Sequence, residues 1–244
     1  QLPLGVVGIA IGVVLLPELS RKLAAGDEAG GRAAFSRAAE MSLGLALPAA
    51  VALAVVPLSL VSVLFERGQF GSADSAATSI ALIIYGAGLP AFVLQKVLLP
   101  LYFAREDTTT PFRIAAFSML VNAAVAIGLV QHLGYLSAAL GATAAAWIML
   151  VMLWVKSRRI GAAAMPDSRF LRLLPRILLA AALMGVVVWG LSELAGGFMR
   201  EPGLRYFYLV GLVVAGMLSY GFMLSVFGVY GIRDLQRLLK RPRI

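Results

Sequence analysis

The stretch from Ser75 to Phe112 restricts the folds open to this chain more than any other. An apolar run containing IALIIY at 80–85 and LYF at 101–103 holds one cation, Lys96, and stops abruptly at REDTTTPF, residues 105–112. The run exceeds the roughly 20 apolar residues that cross a bilayer's hydrocarbon core. A lysine inside it is costly unless it faces protein, water or the interface. The polar block carries helix-stop and helix-start chemistry together. Thr110 is suited to cap and Pro111 to a first helical turn, so a second span is expected to begin there. The unit is two crossings joined by a short charged turn.

Six further runs of this kind can be sought, because 61% of the chain is hydrophobic and only 14% charged. Soluble domains sit near about 45–50% and about 25%. Read against bilayer thickness, the spans fall at 4–19, 41–65, 76–103, 112–130, 136–155, 173–194 and 206–229. The fold class is therefore an all-α polytopic membrane protein of about seven helices. All but Arg67, Arg200, Arg205 and Lys96 of the 21 Lys and Arg residues fall in the first, third, fifth and last connections. By the positive-inside rule those connections are cytoplasmic, the chain enters from outside, and its tail ends inside. The net charge of +9 does not form one groove-sized patch, so no nucleic-acid partner is expected. With no cysteine, disulfides and thiolate-ligated metals are excluded.

The chain opens QLPL, with no basic segment of a signal peptide, and reads as a piece cut just before a span. Gly5, Gly8 and Gly12 share one helical face, as do Ala138, Ala142 and Ala145, which suits close helix packing. Residues 22–40 read as a solvated connector, with a short surface helix around Phe35. Pro48, Pro57, Pro90 and Pro100 each remove a backbone hydrogen bond and bend their helices, a frequent feature of transporters. The last two spans read as a uniformly apolar, unbent pair set apart by the basic connector 156–176. The tail, with leucines at 235, 238 and 239 among basic residues, suits an anionic inner leaflet.

No catalytic constellation emerges. His132 stands alone at the end of a span, and Glu106 and Asp107 lie in a charged turn. Lys96 has two readings: snorkelling to the interface, or facing an internal cavity where it attracts an anionic head group. Gln95, Asn122 and Thr143 are the other polar side chains at membrane depth. They either bind an ion or hydrogen-bond between helices.

Three strings, taken together, resemble the MurJ/MviN family of lipid II flippases. LPLGVVGIAIGVVLLPELSR at 2–21 resembles that family's eighth span. LFERGQF at 64–70 resembles an outer turn, and YFAREDTTTPF at 102–112 the cytoplasmic turn between spans ten and eleven. The resemblance runs end to end and in family order. It implies the second half of a fourteen-span protein of the multidrug/oligosaccharidyl-lipid/polysaccharide exporter superfamily. Residues 1–159 would be spans eight to twelve of a lobe, 160–231 an appended helix pair forming a lipid-facing groove, and 232–244 a basic cytoplasmic tail.

The implied activity is transfer of lipid II across the bacterial cytoplasmic membrane by alternating access. Its implied partners are lipid II, membrane lipids and the other half of the protein. No cofactor is implied, and coupling to a monovalent cation or the membrane potential is expected. Lys96 matches a lysine of span ten in other members. Gln1 stands where some carry a cavity glutamate, so Lys96, Gln1 and Gln95 are the cavity candidates. Some members bind sodium through an asparagine and an aspartate four residues later. Asn122 is followed at that interval by Ala126, so Asn122 and Thr143 are the weaker, ion-binding candidates. Export of another lipid-linked saccharide or of drugs, and a non-transporting membrane scaffold, are the competing readings. A membrane enzyme is the weakest.

Overall fold

The computed structural model describes residue 5 and residues 15–159, 161–197 and 203–229, and among these the regular elements are helices joined by short turns. In chain order the helices are α1 (Leu16–Ala24), α2 (Glu28–Val55), α3 (Pro57–Phe65), α4 (Ser72–Phe103), α5 (Thr109–Leu133), α6 (Leu136–Ser157), α7 (Ser168–Ala195) and α8 (Arg205–Val226). Six of them, α2 and α4 to α8, are long and apolar enough to cross a membrane. The chain is thus a multi-pass membrane protein. The expected first span, 4–19, lies mostly outside the described residues, as do Gly8, Gly12 and the tail 232–244.

The spans pack as a row. α5 lies on α6, α6 on α4, α4 on α2, α2 on α7 and α7 on α8. One core runs through α1, α2, α4 and α6, with Leu19, Phe35, Leu98, Leu101 and Leu153 fully buried. Two smaller clusters lie between α7, α8 and their neighbours, one around Met184, Val188 and Leu212 and the other around Ile177 and Leu224. Glycine sets the closest approaches. A Cβ on Gly141 of α6 would stand 2.8 Å from the carbonyl oxygen of Asn122 on α5. One on Gly185 of α7 would stand 2.5 Å from Val51 on α2. Small residues let membrane helices approach in this way.

Four sequence expectations are corrected. Residues 28–40 are not a solvated connector but the opening turns of α2, which runs unbroken to Val55. Asp27 starts the helix by accepting the Gly30 N–H at 2.8 Å, and Phe35 is only 1% exposed. The span expected at 41–65 is two helices, because Pro57 cannot give an N–H to Leu53 and instead begins α3 after a break at Val56. The cap of α5 is Asp107 rather than Thr110. Asp107 Oδ1 accepts the Thr110 N–H at 2.9 Å, and the helix starts three residues before Phe112. The last pair, expected to be unbent, is not free of proline either, since Pro175 lies inside α7.

Candidate functional site

The end of the bundle that holds the α4–α5 turn also holds most of the charge, and it is pinned by one ridge of α2. Glu28, Arg32, Ser36 and Glu40 recur every fourth residue and so share a face. Glu28 accepts the Ala163 N–H at 2.9 Å and also pairs with Arg105 of the α4–α5 turn. Arg32 donates to the Pro166 carbonyl at 2.6 Å, and Ser36 accepts the Asp167 N–H at 3.0 Å. Glu40, 5% exposed, lies 3.5 Å from Arg169. The α6–α7 connector is thereby fastened along α2 instead of crossing solvent. In the turn itself, the Asp107 carboxyl is held below the usual carboxylate range, chiefly by the Thr110 backbone N–H and then by its hydroxyl.

Lys96 lies on α4 seven residues before Phe103, about 10 Å from this basic end at 1.5 Å per residue. It is exposed, in a stripe with Tyr85 and Phe103, and among the described residues it makes no hydrogen bond or ion pair. Pro100 has no N–H to give the Lys96 carbonyl, so that carbonyl lacks its usual helical donor. A cation at this depth, with no protein partner among the described residues, is costly in lipid and useful next to an anion or water.

The other candidates go elsewhere. Gln95 is 8% exposed and donates to the Ala146 carbonyl at 2.7 Å, so it ties α4 to α6 and does not share the Lys96 stripe. Thr143 of α6 donates to the Ile84 carbonyl at 2.9 Å, toward α4. Asn122 packs from α5 against Gly141, on a different side of α6. Asn122 and Thr143 therefore do not converge on one ion site. Gln1 lies outside the described residues.

A second feature was not visible as a site in the sequence. An apolar groove of about 420 Å³ runs between α2 and α8, with α7 along it and Leu60 of α3 at its far end. Its walls are Pro48, Ala52, Val188, Leu212, Gly216 and their neighbours. Two α8 side chains, one lining the groove and one a turn beyond its lining, reach backbone carbonyls. At the basic end the Tyr220 hydroxyl donates to the Gly44 carbonyl at 2.7 Å. That carbonyl is the one Pro48 leaves without a helical donor. At the opposite end Arg205 Nη1 reaches the carbonyl of Glu66, just past α3, at a long 3.5 Å. The rule that proline frees the carbonyl four residues back could have marked Gly44 in the sequence; nothing local marks its donor.

The chain matches the family model described as lipid II flippase MurJ over residues 1–213. A probable lipid II flippase MurJ of Rhizobium meliloti (strain 1021) is 38% identical over 244 residues, covering 99% of this chain and 45% of the relative. One of Vibrio cholerae serotype O1 is 31% identical over 237 residues, covering 97% and 45% respectively. A solved structure, lipid II flippase MurJ in an inward closed conformation, shares the fold with a TM-score of 0.75. It is 24% identical and is matched over 96% of this chain and 45% of its own. The chain thus spans about half the length of the relatives it matches.

Proposed function

This chain belongs to the lipid II flippase MurJ family, and we propose that it supplies one wall of a pathway that moves lipid II across the cytoplasmic membrane. On this reading the chain corresponds to the second half of its relatives. The basic end faces the cytoplasm, where Lys and Arg are retained. The observation that carries the reading is the pairing of two features on one row of helices. Lys96 is an exposed cation at membrane depth, and the α2–α8 groove is lined almost wholly by apolar groups. An amphiphile with an anionic pyrophosphate and a long hydrocarbon tail asks for those two environments. The head needs charge and water to leave the interface, while the tail can stay in lipid or against an apolar groove.

The α7–α8 pair is assigned as the tail-binding unit and α1 to α6 as the lobe wall. Translocation then requires no bond-making chemistry, only two conformations that expose the head-group path to opposite sides. The test is exchange of Lys96 in a strain depleted of its own flippase. Lys96→Ala is expected to lose complementation at normal membrane levels of protein, with Lys96→Arg retaining part of it. Full growth with Lys96→Ala would leave snorkelling as the role of this residue and remove the cation from the mechanism.

A further inference from the structure

Every tyrosine among the described residues but one has its hydroxyl in a hydrogen bond. Tyr102, Tyr135, Tyr208 and Tyr220 donate to backbone carbonyls, and Tyr206 accepts from Arg205. Tyr85 of α4 has no such partner among the described residues and is 43% exposed. Its depth makes this costly in lipid. The Tyr135 hydroxyl ties the α5–α6 turn to the Ala77 carbonyl, near the end opposite the basic one. Tyr85 lies eight residues deeper, about 12 Å at 1.5 Å per residue, and Phe103 at the basic end is about 27 Å further on. Tyrosines gather at membrane interfaces, where the ring is apolar and the hydroxyl wet. Far from either interface, an unpaired hydroxyl facing hydrocarbon is unfavourable.

Packing separates two open faces of α4. The helix lies between α2, which meets it at Gly86, and α6, whose Thr143 reaches the Ile84 carbonyl. One face left open carries Ala76, Ile80, Ile83 and Ala87, exposed and wholly apolar. Trp147 of α6 lies along it, donating to the Ala87 carbonyl at 3.1 Å. The other carries Tyr85, Phe92, Lys96 and Phe103 at helical spacing, and both polar side chains on it lack partners among the described residues. On α6, Ala138 and Ala142 lie about half a turn from Trp147 and so border this second face with methyl groups, leaving the Tyr85 ring room.

We propose that Tyr85 is a saccharide contact on the translocation path: its ring takes the C–H face of a head-group sugar, and its hydroxyl bonds a sugar hydroxyl as the head crosses the middle of the membrane. The inference rests on the Lys96 face being that path, as argued above. A phenol offers a pyrophosphate no positive charge, which leaves that part of the head to Lys96. What it offers is a flat apolar ring with one hydroxyl that both donates and accepts, and a pyranose presents the complement. Tyr85 stands eleven residues from Lys96, about 16 Å along α4, so a head group leaving the lysine for the opposite end meets it next.

The experiment compares binding of lipid II and of polyprenyl pyrophosphate, which lacks the sugars, to the protein in nanodiscs of neutral lipid. It is run on wild type, Tyr85→Phe, Tyr85→Ala and Lys96→Ala, with thermal melting as a check on folding. Tyr85→Phe, which keeps the ring, is expected to bind lipid II about threefold more weakly, and Tyr85→Ala about tenfold. Polyprenyl pyrophosphate should bind both Tyr85 variants as it binds wild type, whereas Lys96→Ala should weaken both probes. Lipid II affinity unchanged in the Tyr85 variants, or both probes weakened equally by them, overturns the saccharide contact while the Lys96 result leaves the path standing. Neither probe responding to Lys96→Ala, or neither binding wild type, removes the path and the Tyr85 contact with it.

Discussion

Replacing Tyr220 by Phe removes one hydroxyl, and its cost depends on a proline on another helix. The Tyr220 hydroxyl donates to the Gly44 carbonyl at 2.7 Å, and Gly44 is buried. A net hydrogen bond is worth about 0.5–1.5 kcal/mol, and leaving a buried acceptor unsatisfied adds to that. In membranes such bonds average about 0.6 kcal/mol, with a maximum near 1.7. Because Pro48 denies this carbonyl its helical donor, the upper part of the range applies, and Tyr220→Phe should cost about 1.5 kcal/mol. Pro48→Ala supplies the missing N–H. In that background Gly44 is satisfied inside α2, and the same substitution should cost less than about 0.5 kcal/mol by the same reasoning. The coupling between the two sites is therefore about 1 kcal/mol, read from equilibrium unfolding of the four proteins in mixed micelles. Equal cost of Tyr220→Phe in both backgrounds would refute the argument that Pro48 creates the acceptor.

Two further outcomes follow from the geometry. Gly141→Ala must push α5 off α6, because its Cβ would meet backbone at Asn122. A loss of about 1–3 kcal/mol is expected, and a melting temperature equal to wild type would contradict it. At Asp107 the folded carboxyl titrates below its ordinary value. Its contribution is thus present above the unfolded carboxylate pKa and fades as pH falls through the lower folded value. Thermal melts below about pH 4 should show that loss in wild type and not in Asp107→Asn; identical pH profiles would count against the cap.

What the sequence made legible was mostly one-dimensional. Run length and the phase of Lys and Arg located six described spans and their common basic end, because a bilayer fixes both independently of tertiary contacts. What it hid depended on partners far along the chain. Residues 28–40 read as a solvated connector because paired glycines and charges weaken a local helix. Yet Ser36 and Arg32 find their partners 131 and 134 residues away, and that packing overrides propensity. Gln95 resembled a cavity side chain until its neighbour was known. Its acceptor, Ala146, is 51 residues distant. Pro48 announced an orphan carbonyl, but its donor lies 176 residues on. Lys96 is the reverse case: a lone lysine in an apolar run was conspicuous in the sequence, and the structure leaves it exposed.

The central claim is that this chain forms part of a lipid II translocation pathway, and the leaflet position of lipid II reports on it most directly. In cells where the protein can be depleted, lipid II open to an externally added, membrane-impermeant cleaving enzyme should fall as the protein disappears and return when it is restored. It should not return with Lys96→Ala. External lipid II that stays constant through depletion, in cells with no other flippase, would contradict the account.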